Sequence, residues 1–289
     1  MKIAIITGGE TGERSVSLKS AENIRKAIDF AETETFIFPE DRGGFVEKVS
    51  TFDLAIPVIH GIGGEDGSLQ ALFKILEIPF IFSDIGAHAR AINKRNTKEL
   101  VREIGIAVPK ETETLPFFAK PNTGGSSIAS KLCQSYEEFA ELQKNNQEID
   151  FLTEELVKGR EFTVGVLEHG RKTFALPVIE IVPKGEFFDF ENKYNPEKLA
   201  SEICPANIDA PLSTELQQQA LTIHKHLGCR HISRSDFIMT PDNQIYFLEI
   251  NTIPGMTGTS LVPKMLKHVN LSLREVLYGW CEENFTKAQ

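Results

Sequence analysis

The sequence lacks the cysteine pattern of a zinc-binding or disulfide-stabilised protein. Its few cysteines lie far apart and form no CxxC pair: Cys133, Cys204, Cys229 and Cys281. Structural zinc sites use closely spaced cysteine pairs, and disulfide frameworks need many cysteines in a short chain. We therefore expect free thiols in a reducing environment, which makes the cytoplasm the expected location.

Long apolar runs are also absent. No stretch approaches the roughly 20 apolar residues that a membrane-spanning helix needs. The apolar start at Lys2–Ile6 is too short for the core of a signal peptide. The sequence contains no internal repeat and no low-complexity segment. We therefore expect a globular protein that does not bind membranes.

Positive charge is scarce as well. The chain has 31 lysines and arginines against 41 acidic residues, a formal net charge of −10. This balance argues against nucleic acids or anionic membranes as partners. It still allows a local basic pocket for a small phosphate ligand. With 289 residues, 41% of them hydrophobic, the chain is long enough for two or three domains.

The first third of the chain alternates between strand and helix patterns. A buried strand at Lys2–Ile6 runs into the glycine-rich turn Gly8–Glu13, and a helix follows from about Ser15 to Ile28. This order predicts a doubly wound α/β domain with a parallel sheet. The turn lacks GxGxxG spacing, so it gives little support to dinucleotide binding. Pro109 and the change of pattern around it place the first domain boundary near Asn93.

Two side chains are expected at the carboxyl ends of these strands, where open α/β sheets bind ligands. Glu13 follows the first strand, and His60 follows the strand predicted at Asp53–Ile59. Glu13 is also typical of an acid that favours a helix start, and His60 is equally consistent with a structural histidine. The glycines after His60 permit close backbone approach to a ligand. Both interpretations stay open for both residues.

A Gly/Ser-rich loop between two predicted strands follows Lys120. Its segment Pro121–Ser127 could cradle phosphates with backbone N–H groups. It is not a Walker A loop, because the GK[ST] order and the following helix are missing. A flexible hairpin loop explains the same composition. Further on, Gly185–Tyr194 is predicted to be a long aromatic-rich loop, of the kind that often forms a lid.

A hairpin is predicted near the C-terminal end, where two β-forming runs flank a Pro-Asp-Asn-Gln turn. Centring the turn between Asp242 and Asn243 gives the pairs Thr240 with Ile245, Ile238 with Phe247, Asp236 with Glu249, and Arg234 with Asn251. Alternation then gives a core face. Its members are Phe237, Met239, Tyr246, Leu248 and Ile250.

The opposite face of this hairpin places two acids directly across from each other. Like charges in facing positions repel, so Asp236 and Glu249 need a compensating cation. Mg²⁺ prefers carboxylate and amide oxygens, and it usually also contacts phosphates. The pattern therefore suggests a magnesium–nucleotide site, although an ordinary solvated acidic face would have the same pattern.

Taken in order and spacing, the motifs of the chain resemble the D-alanine–D-alanine ligases of the ATP-grasp superfamily. The motifs that carry the resemblance are Gly12-Glu13-Arg14-Ser15-Val16-Ser17, His60-Gly61-x-Gly63-Gly64-Glu65-Asp66-Gly67, Lys120-Pro121-x4-Ser126-Ser127, Glu161-Phe162-Thr163-Val164, Lys193-Tyr194, Cys204-Pro205-Ala206, Arg234-x-Asp236 and Leu248-Glu249-x-Asn251-Thr252-x-Pro254-Gly255-Met256-Thr257. The resemblance covers nearly the whole chain.

The resemblance implies a fold and a reaction. An N-terminal doubly wound domain at 1–93 would precede a small central ATP-grasp lobe at 94–157 and a C-terminal ATP-grasp domain at 158–289, both with antiparallel sheets. ATP would phosphorylate the carboxylate of one D-alanine, and the amine of a second would attack the acyl phosphate. The products would be D-alanyl-D-alanine for peptidoglycan synthesis, ADP and phosphate. A homodimer is expected.

The resemblance also implies residue roles. Two Mg²⁺ ions, with Mn²⁺ as an alternative, would be held by Asp236, Glu249 and Asn251. The nucleotide would be bound by Lys94, Lys120, Glu154, Val157, Glu161 and Lys193. The reacting groups would be positioned or stabilised by Glu13, Ser126, Tyr194, Arg234 and the N–H of Gly255. The two D-alanines would contact Glu13, His60, Ser260 and Leu261.

Two other functions are consistent with parts of this pattern. One is a related ligase that makes a D-alanyl ester or a different dipeptide, and Tyr194 favours the dipeptide over the ester. The other is a catalytically inactive ATP-binding regulator, which the intact metal and oxyanion residues disfavour. The sequence also departs from the family at Ser235, where an apolar residue is usual.

Overall fold

The computed structural model describes residues 1–125, 129–183 and 200–288, with side chains described as far as 285. Its N-terminal part is built on a parallel sheet in the order β2-β1-β3. The strands are β1 (Lys2–Gly8), β2 (Glu32–Phe38) and β3 (Leu54–Val58). The central β1 is fully buried from Ile3 to Ile6, which explains its unbroken apolar run. The predicted doubly wound start is confirmed.

Helices cover this sheet and lead to the next one. They are α1 (Arg14–Ala27), α2 (Arg42–Lys48), α3 (Ser68–Ile75), α4 (Ile85–Ile92) and α5 (Lys94–Glu103). The helix α2 was not predicted, because its two glycines are poor helix formers. After α3, the chain returns to the sheet at a bridge between Phe80 and Ala55. Within the ranges that the structure covers, no helix is long and apolar enough to cross a membrane.

A small antiparallel sheet follows, in the order β5-β4-β6. Its elements are β4 (Phe117–Pro121), β5 (Lys131–Cys133), α6 (Tyr136–Asn145) and β6 (Phe151–Glu155). Ser135 caps α6 by accepting a hydrogen bond from the Glu138 N–H. Edge-to-face contacts of Phe139 with Phe117 and Phe151 form the core of this lobe.

The largest sheet is antiparallel and has the order β10-β9-β7-β11-β12, with β8 paired to β7. Its strands are β7 (Arg160–His169), β8 (Lys172–Ala175), β9 (Ile179–Val182), β10 (Ser201–Ile203), β11 (Ile232–Met239) and β12 (Ile245–Asn251). The helices packed with it are α7 (Ala210–His226), α8 (Leu261–His268) and α9 (Leu273–Ala288). The mixture of one parallel and two antiparallel sheets confirms the predicted fold class.

The hydrophobic cores do not coincide with the predicted domain limits. Ile3 and Ile56 of the parallel sheet share one core with Leu167 of β7 and Trp280 of α9. Val101 of α5 packs in the core beneath β7, β11 and α7, although the predicted small lobe begins at residue 94. The limits at 93 and 157 stay predictions.

The hairpin of β11 and β12 confirms the pairs that bear charge and corrects the others. Arg234 lies opposite Asn251, and Asp236 lies opposite Glu249. Beyond them a bulge shifts the register, so that Phe247 pairs with Phe237 and Leu248 is the extra residue.

The bulge also exchanges the faces of the outer half of β12. Ile245 and Phe247 are buried with Phe237, whereas Tyr246 and Leu248 are only partly buried. The predicted pairs Thr240–Ile245 and Ile238–Phe247 are therefore wrong. A one-residue shift in register moves every side chain of a strand to the other face. Here the bulge limits that shift to the half of the hairpin next to the turn, and the charged pairs keep their predicted register.

Candidate active site

Asp236 is held in place by three neighbouring side chains. The guanidinium of Arg234 donates to both of its oxygens at 3.0 Å. The Thr163 hydroxyl on β7 donates to Oδ1 at 2.5 Å, and the Asn251 side-chain amide lies 3.4 Å from Oδ2. Thr163 is buried and lies beside Asp236 in the ladder of β7 and β11. These bonds fix the carboxylate at one orientation on the site face.

Lys94 joins the hairpin to the loop that precedes Ser126. It is the first residue of α5, and its ammonium donates to the Gly124 carbonyl at 2.6 Å. The same nitrogen lies 3.5 Å from Glu249 Oε2. Glu65, Asn251 and Thr252 line the cleft beside it. A predicted phosphate ligand and a predicted metal ligand thus lie in direct contact.

Glu154 and Lys120, both predicted nucleotide ligands, form a buried ion pair with Lys98 as a third member. Lys120 Nζ lies 2.8 Å from Glu154 Oε2, and Lys98 contacts Oε1. All three side chains are buried. Burial acts to raise the pKa of Glu154, but the amino groups of Lys120 and Lys98 lower it below its usual value. The sequence reasoning gave Lys98 no role.

Glu161 shares the site face with Asp236. It lies on β7 opposite Ile238, two positions from Thr163. Burial raises the pKa of Glu161 to about 7, and the negative charge of Asp236 adds to the effect. The last predicted nucleotide residue of the small lobe, Val157, is half-buried just after β6.

Glu13 lies between two glycine-containing loops. It is the N-cap residue of α1, and it makes no side-chain capping bond. A side chain at Gly61 would place its Cβ 2.9 Å from Glu13 Oε2, and one at Gly125 would place it 3.1 Å away. Gly61 also has a φ of +77°, which favours glycine. Both glycines therefore leave room for the carboxylate beside the loop that leads to Ser126.

His60 binds the loop that follows β12. Its Nδ1 lies 2.8 Å from the Ile253 carbonyl, which can only accept, so Nδ1 carries the proton. Its Nε2 then accepts from the Ser20 hydroxyl at 3.2 Å. Ser20 in turn accepts from the Met256 N–H, and Asn23 of α1 donates to the Met256 carbonyl at 2.7 Å. Both ring nitrogens of His60 therefore have hydrogen-bond partners in the protein, as expected of a structural histidine at the edge of the site.

Glu65 also binds the loop that follows β12. Its buried carboxylate accepts the N–H groups of Thr252 and Ile253 at 3.1 and 2.8 Å, and that of Gly61 at 2.9 Å. Burial is the main reason that the pKa of Glu65 rises to about 7. Glu65 therefore connects the loop after His60 to the end of β12.

The predicted site for the second amino acid lies at the start of α8. Ser260 is the N-cap residue of that helix, and Leu261 is its first residue. The Ser260 hydroxyl accepts the Thr257 N–H at 3.1 Å. A Cβ added at Gly255 would lie 3.0 Å from it. The turn thus brings Gly255 and Ser260 together.

The hairpin residues fit a hard metal cation by their chemistry. Asp236 and Glu249 supply carboxylates, and Asn251 supplies an amide oxygen, which are the ligand types that Mg²⁺ prefers. In the ranges that the structure describes, no group of three His, Cys, Asp or Glu residues could hold a metal. The candidate set at the hairpin combines the two facing carboxylates with the Asn251 amide oxygen.

Three predicted site residues, Ser126, Lys193 and Tyr194, lie outside the described residues. Among the described residues that contact the predicted set, Ser20, Glu65, Lys98 and Thr163 have no role predicted from the sequence. Glu65 belongs to the glycine-rich motif after His60, and Lys98 follows Lys94 by one helical turn. Those two spacings were the available signals.

The comparisons with known proteins point to one family. A family model described as D-ala D-ala ligase C-terminus matches residues 86–278. A D-alanine–D-alanine ligase of Lawsonia intracellularis is 37% identical, covering 96% of both chains. A solved D-alanine–D-alanine ligase from Bacillus anthracis is 27% identical, covers 99% of this chain and 98% of that one, and has a TM-score of 0.84.

A further solved structure, a D-Ala:D-Ser ligase from Enterococcus faecalis, is 29% identical. It covers 98% of this chain and 99% of that one, with a TM-score of 0.81. The matched family model covers most of the chain, and the Lawsonia relative matches nearly all of it. The chain therefore belongs to the D-alanine–D-alanine ligase family.

Proposed function

We propose that this protein uses ATP to join two D-alanine molecules into D-alanyl-D-alanine, a peptidoglycan precursor, with release of ADP and phosphate. Family membership supports the reaction type. The observation that carries the assignment to this site is the contact of Lys94 with Glu249. It brings the basic residues of the small lobe and the acidic residues of the hairpin to one cleft, as a metal–triphosphate substrate requires.

The nucleotide would lie between the small sheet and the hairpin. Glu154 and Val157 would contact the base, and Glu161 would accept hydrogen bonds from the ribose hydroxyls. Lys94 and Lys120 would donate to phosphate oxygens, together with Lys193. Supporting this arrangement, Lys94 and Lys120 are both buried, and Lys94 lines a cleft. A buried ammonium group interacts more strongly with phosphate than it does in water.

Asp236, Glu249 and Asn251 would hold the Mg²⁺ ions. Bound there, the metal would neutralise charge on the phosphates during phosphoryl transfer. The chain itself supplies the orientation of these ligands, because Thr163 and Arg234 fix Asp236. Such supporting bonds commonly change metal affinity by about 10–100-fold.

The first D-alanine would bind with its ammonium group on Glu13. Its carboxylate oxygen attacks the γ-phosphorus, the bond from that phosphorus to the β,γ-bridging oxygen breaks, and ADP leaves. Ser126 and Tyr194 would close over the acyl phosphate and exclude water. His60 would act through the loop that it binds, and we assign it a supporting position beside the first amino acid.

The second D-alanine would place its carboxylate at Ser260 and Leu261, where a helix start favours an anion. Its neutral amine attacks the acyl carbon, and the C–O bond to phosphate then breaks. Arg234 and the Gly255 N–H would stabilise the oxyanion of the tetrahedral intermediate. Placed donors of this kind typically contribute about 3–4 kcal/mol each.

We propose further that the enzyme acts in the cytoplasm, where ATP is available, and that it forms a homodimer. The free cysteines agree with a reducing compartment. Neither nucleic acid nor a membrane is needed for the reaction. The domain limits at 93 and 157 belong to the same proposal.

Phosphate release from Mg-ATP tests this function. We expect release that depends on D-alanine, with one D-alanyl-D-alanine formed per phosphate. Parallel reactions with L-alanine alone, and with D-alanine plus D-serine or D-lactate, test the chemistry of the second substrate. Efficient formation of D-alanyl-D-serine or D-alanyl-D-lactate at low D-alanine concentration would identify a related ligase instead. Absence of any D-alanine-dependent release would overturn it.

A further inference from the structure

Lys98 occupies an unusual position for a helical lysine. It lies one turn after Lys94 on α5 and is 3% exposed. Its amino group contacts Glu154 Oε1, while Lys120 lies 2.8 Å from Oε2. Each oxygen of one buried carboxylate thus has its own lysine.

The two lysines of this cluster have different surroundings. Lys120 lies at the end of β4, directly before the loop Pro121–Gly125, and it is influenced by Glu249 of the hairpin as well as by Glu154. Lys98 lies on α5 and contacts the other carboxylate oxygen of Glu154. Glu249 and the end of that loop line the cleft where a polyphosphate would bind, so Lys120 is the nearer of the two lysines to that cleft.

Moving Lys120 toward phosphate would have a cost if it were the sole partner of Glu154. A buried carboxylate that loses its only cation is strongly destabilised. Lys98 removes that cost, because its amino group continues to donate to Oε1 after Lys120 has left Oε2. Burial and the nearby Lys120 ammonium lower the pKa of Lys98, and the second influence weakens once Lys120 moves away.

We propose that Lys98 is a positioning residue that keeps Glu154 paired and thereby releases Lys120 to the phosphates of the nucleotide. The inference rests on the proposed function, since it assumes a nucleotide in this cleft. Lys98 acts through Glu154 and does not contact the reacting atoms. Its effect should therefore depend on a carboxylate at position 154.

A double-mutant cycle on nucleotide affinity tests this dependence. The dissociation constant of ADP with excess Mg²⁺ is measured by calorimetry for wild type, Lys98→Met, Glu154→Gln and the double variant. We expect Lys98→Met to weaken ADP binding by at least about tenfold when Glu154 is present. In the Glu154→Gln background, where no carboxylate can be left unpaired, the same substitution should change affinity by less than about twofold.

A purely structural role for Lys98, such as attaching α5 to the small sheet, makes a different prediction. It would weaken ADP binding equally in both backgrounds, and that result would overturn the proposal. Wild-type affinity in the folded Lys98→Met variant would do so too. Lys98→Arg should restore most of the affinity, because it returns a donor to Glu154. Arg102→Met, which removes an exposed cation one turn later on α5, should have no effect.

Folding and function are separated by two further measurements. Thermal unfolding is recorded for every variant, and Lys98→Gln replaces Lys98→Met in the cycle if the latter does not fold. Failure of the wild type to bind ADP would contradict the proposed function itself. Normal wild-type binding with no coupling between positions 98 and 154 would contradict only the role of Lys98.

Discussion

The small lobe and the hairpin each contain a charge cluster, and the two clusters have opposite imbalances. The cluster in the small lobe is buried, whereas the one on the hairpin is partly buried. In the small lobe, Lys98 and Lys120 share the single carboxylate of Glu154. On the hairpin, Asp236 and Glu249 face each other, and the guanidinium of Arg234 is bonded to Asp236. One cluster has an excess of basic groups and the other an excess of acidic groups.

This difference shows how the chain prepares for its substrate. Because buried charges are poorly compensated by water, a basic cluster favours an anion and an acidic cluster favours a cation. A metal–ATP complex supplies both at once. Lys94, 3.5 Å from Glu249, lies where the two clusters meet.

Removing the acidic charge of the hairpin should have the largest effect. In Glu249→Gln the amide keeps the shape of the side chain but loses a charged metal ligand. We expect turnover to fall by at least about a hundredfold to a thousandfold, with an unchanged thermal unfolding temperature. D-alanine-dependent phosphate release measures the loss. Near-normal turnover would contradict the metal role of Glu249.

Glu65 should make stability depend on pH. Its pKa is about 7 when folded, against an ordinary value of 4.5. Between these values the folded protein binds more protons than the unfolded chain, so this contribution to stability is fully present below pH 4.5. It is lost as the pH rises through 7, and it amounts to about 3 kcal/mol.

Urea unfolding of wild type and Glu65→Gln at several pH values measures this contribution. The stability difference between the two proteins should shift against wild type by about 3 kcal/mol from pH 4.5 to 7.5. Glu99→Gln, which removes an exposed carboxylate on α5, serves as the control. A difference that stays constant with pH, or shifts in favour of wild type, would show that Glu65 is ionised when folded.

Thr163→Val tests whether the orientation of Asp236 on the hairpin matters for metal binding. It removes the hydroxyl that donates to Asp236 Oδ1 at 2.5 Å and keeps the shape of the side chain. We expect the Mg²⁺ concentration for half-maximal turnover to rise by about tenfold. Thr214→Val, at an exposed position on α7, is the matched control. An unchanged Mg²⁺ requirement would mean that Arg234 and Asn251 hold Asp236 without the Thr163 hydroxyl.

The smallest effect is expected on the opposite face of β11. Ser235 is fully buried, and its hydroxyl has no hydrogen-bond partner among the residues that the structure covers. Replacing it with alanine removes an unsatisfied polar group, so we expect a gain of about 1 kcal/mol in the free energy of unfolding. Turnover should stay within about twofold. Destabilisation measured by urea would contradict this account.

The charged half of the hairpin could be predicted because alternation and turn position together determine which residues face each other. Asp236 opposite Glu249 needed only those two observations. The bulge at Leu248 could not be predicted, since an apolar residue there suits either face. The resulting exchange of Tyr246 and Phe247 depends on packing against Phe237.

The basic cluster was less accessible from the sequence. Glu154 was identified only through family resemblance, and Lys120 through that resemblance and its position before the Gly/Ser-rich loop. Neither signal predicted their mutual ion pair. The sequence does not predict that Lys98 is buried, because a lysine on a helix is usually solvent-exposed. Its burial depends on Glu154, which lies on a strand more than fifty residues later in the chain. Pairings over such distances are set by the tertiary fold.

If ATP phosphorylates a D-alanine carboxylate in this cleft, a carboxylate oxygen must pass to the released phosphate, and isotope transfer measures that step. D-alanine labelled with ¹⁸O in both carboxylate oxygens is incubated with unlabelled Mg-ATP, and the released phosphate is analysed by mass spectrometry. The account predicts one ¹⁸O atom in each phosphate released with dipeptide, because the acyl C–O bond breaks when the second amine attacks. Dipeptide formation with unlabelled phosphate would contradict it.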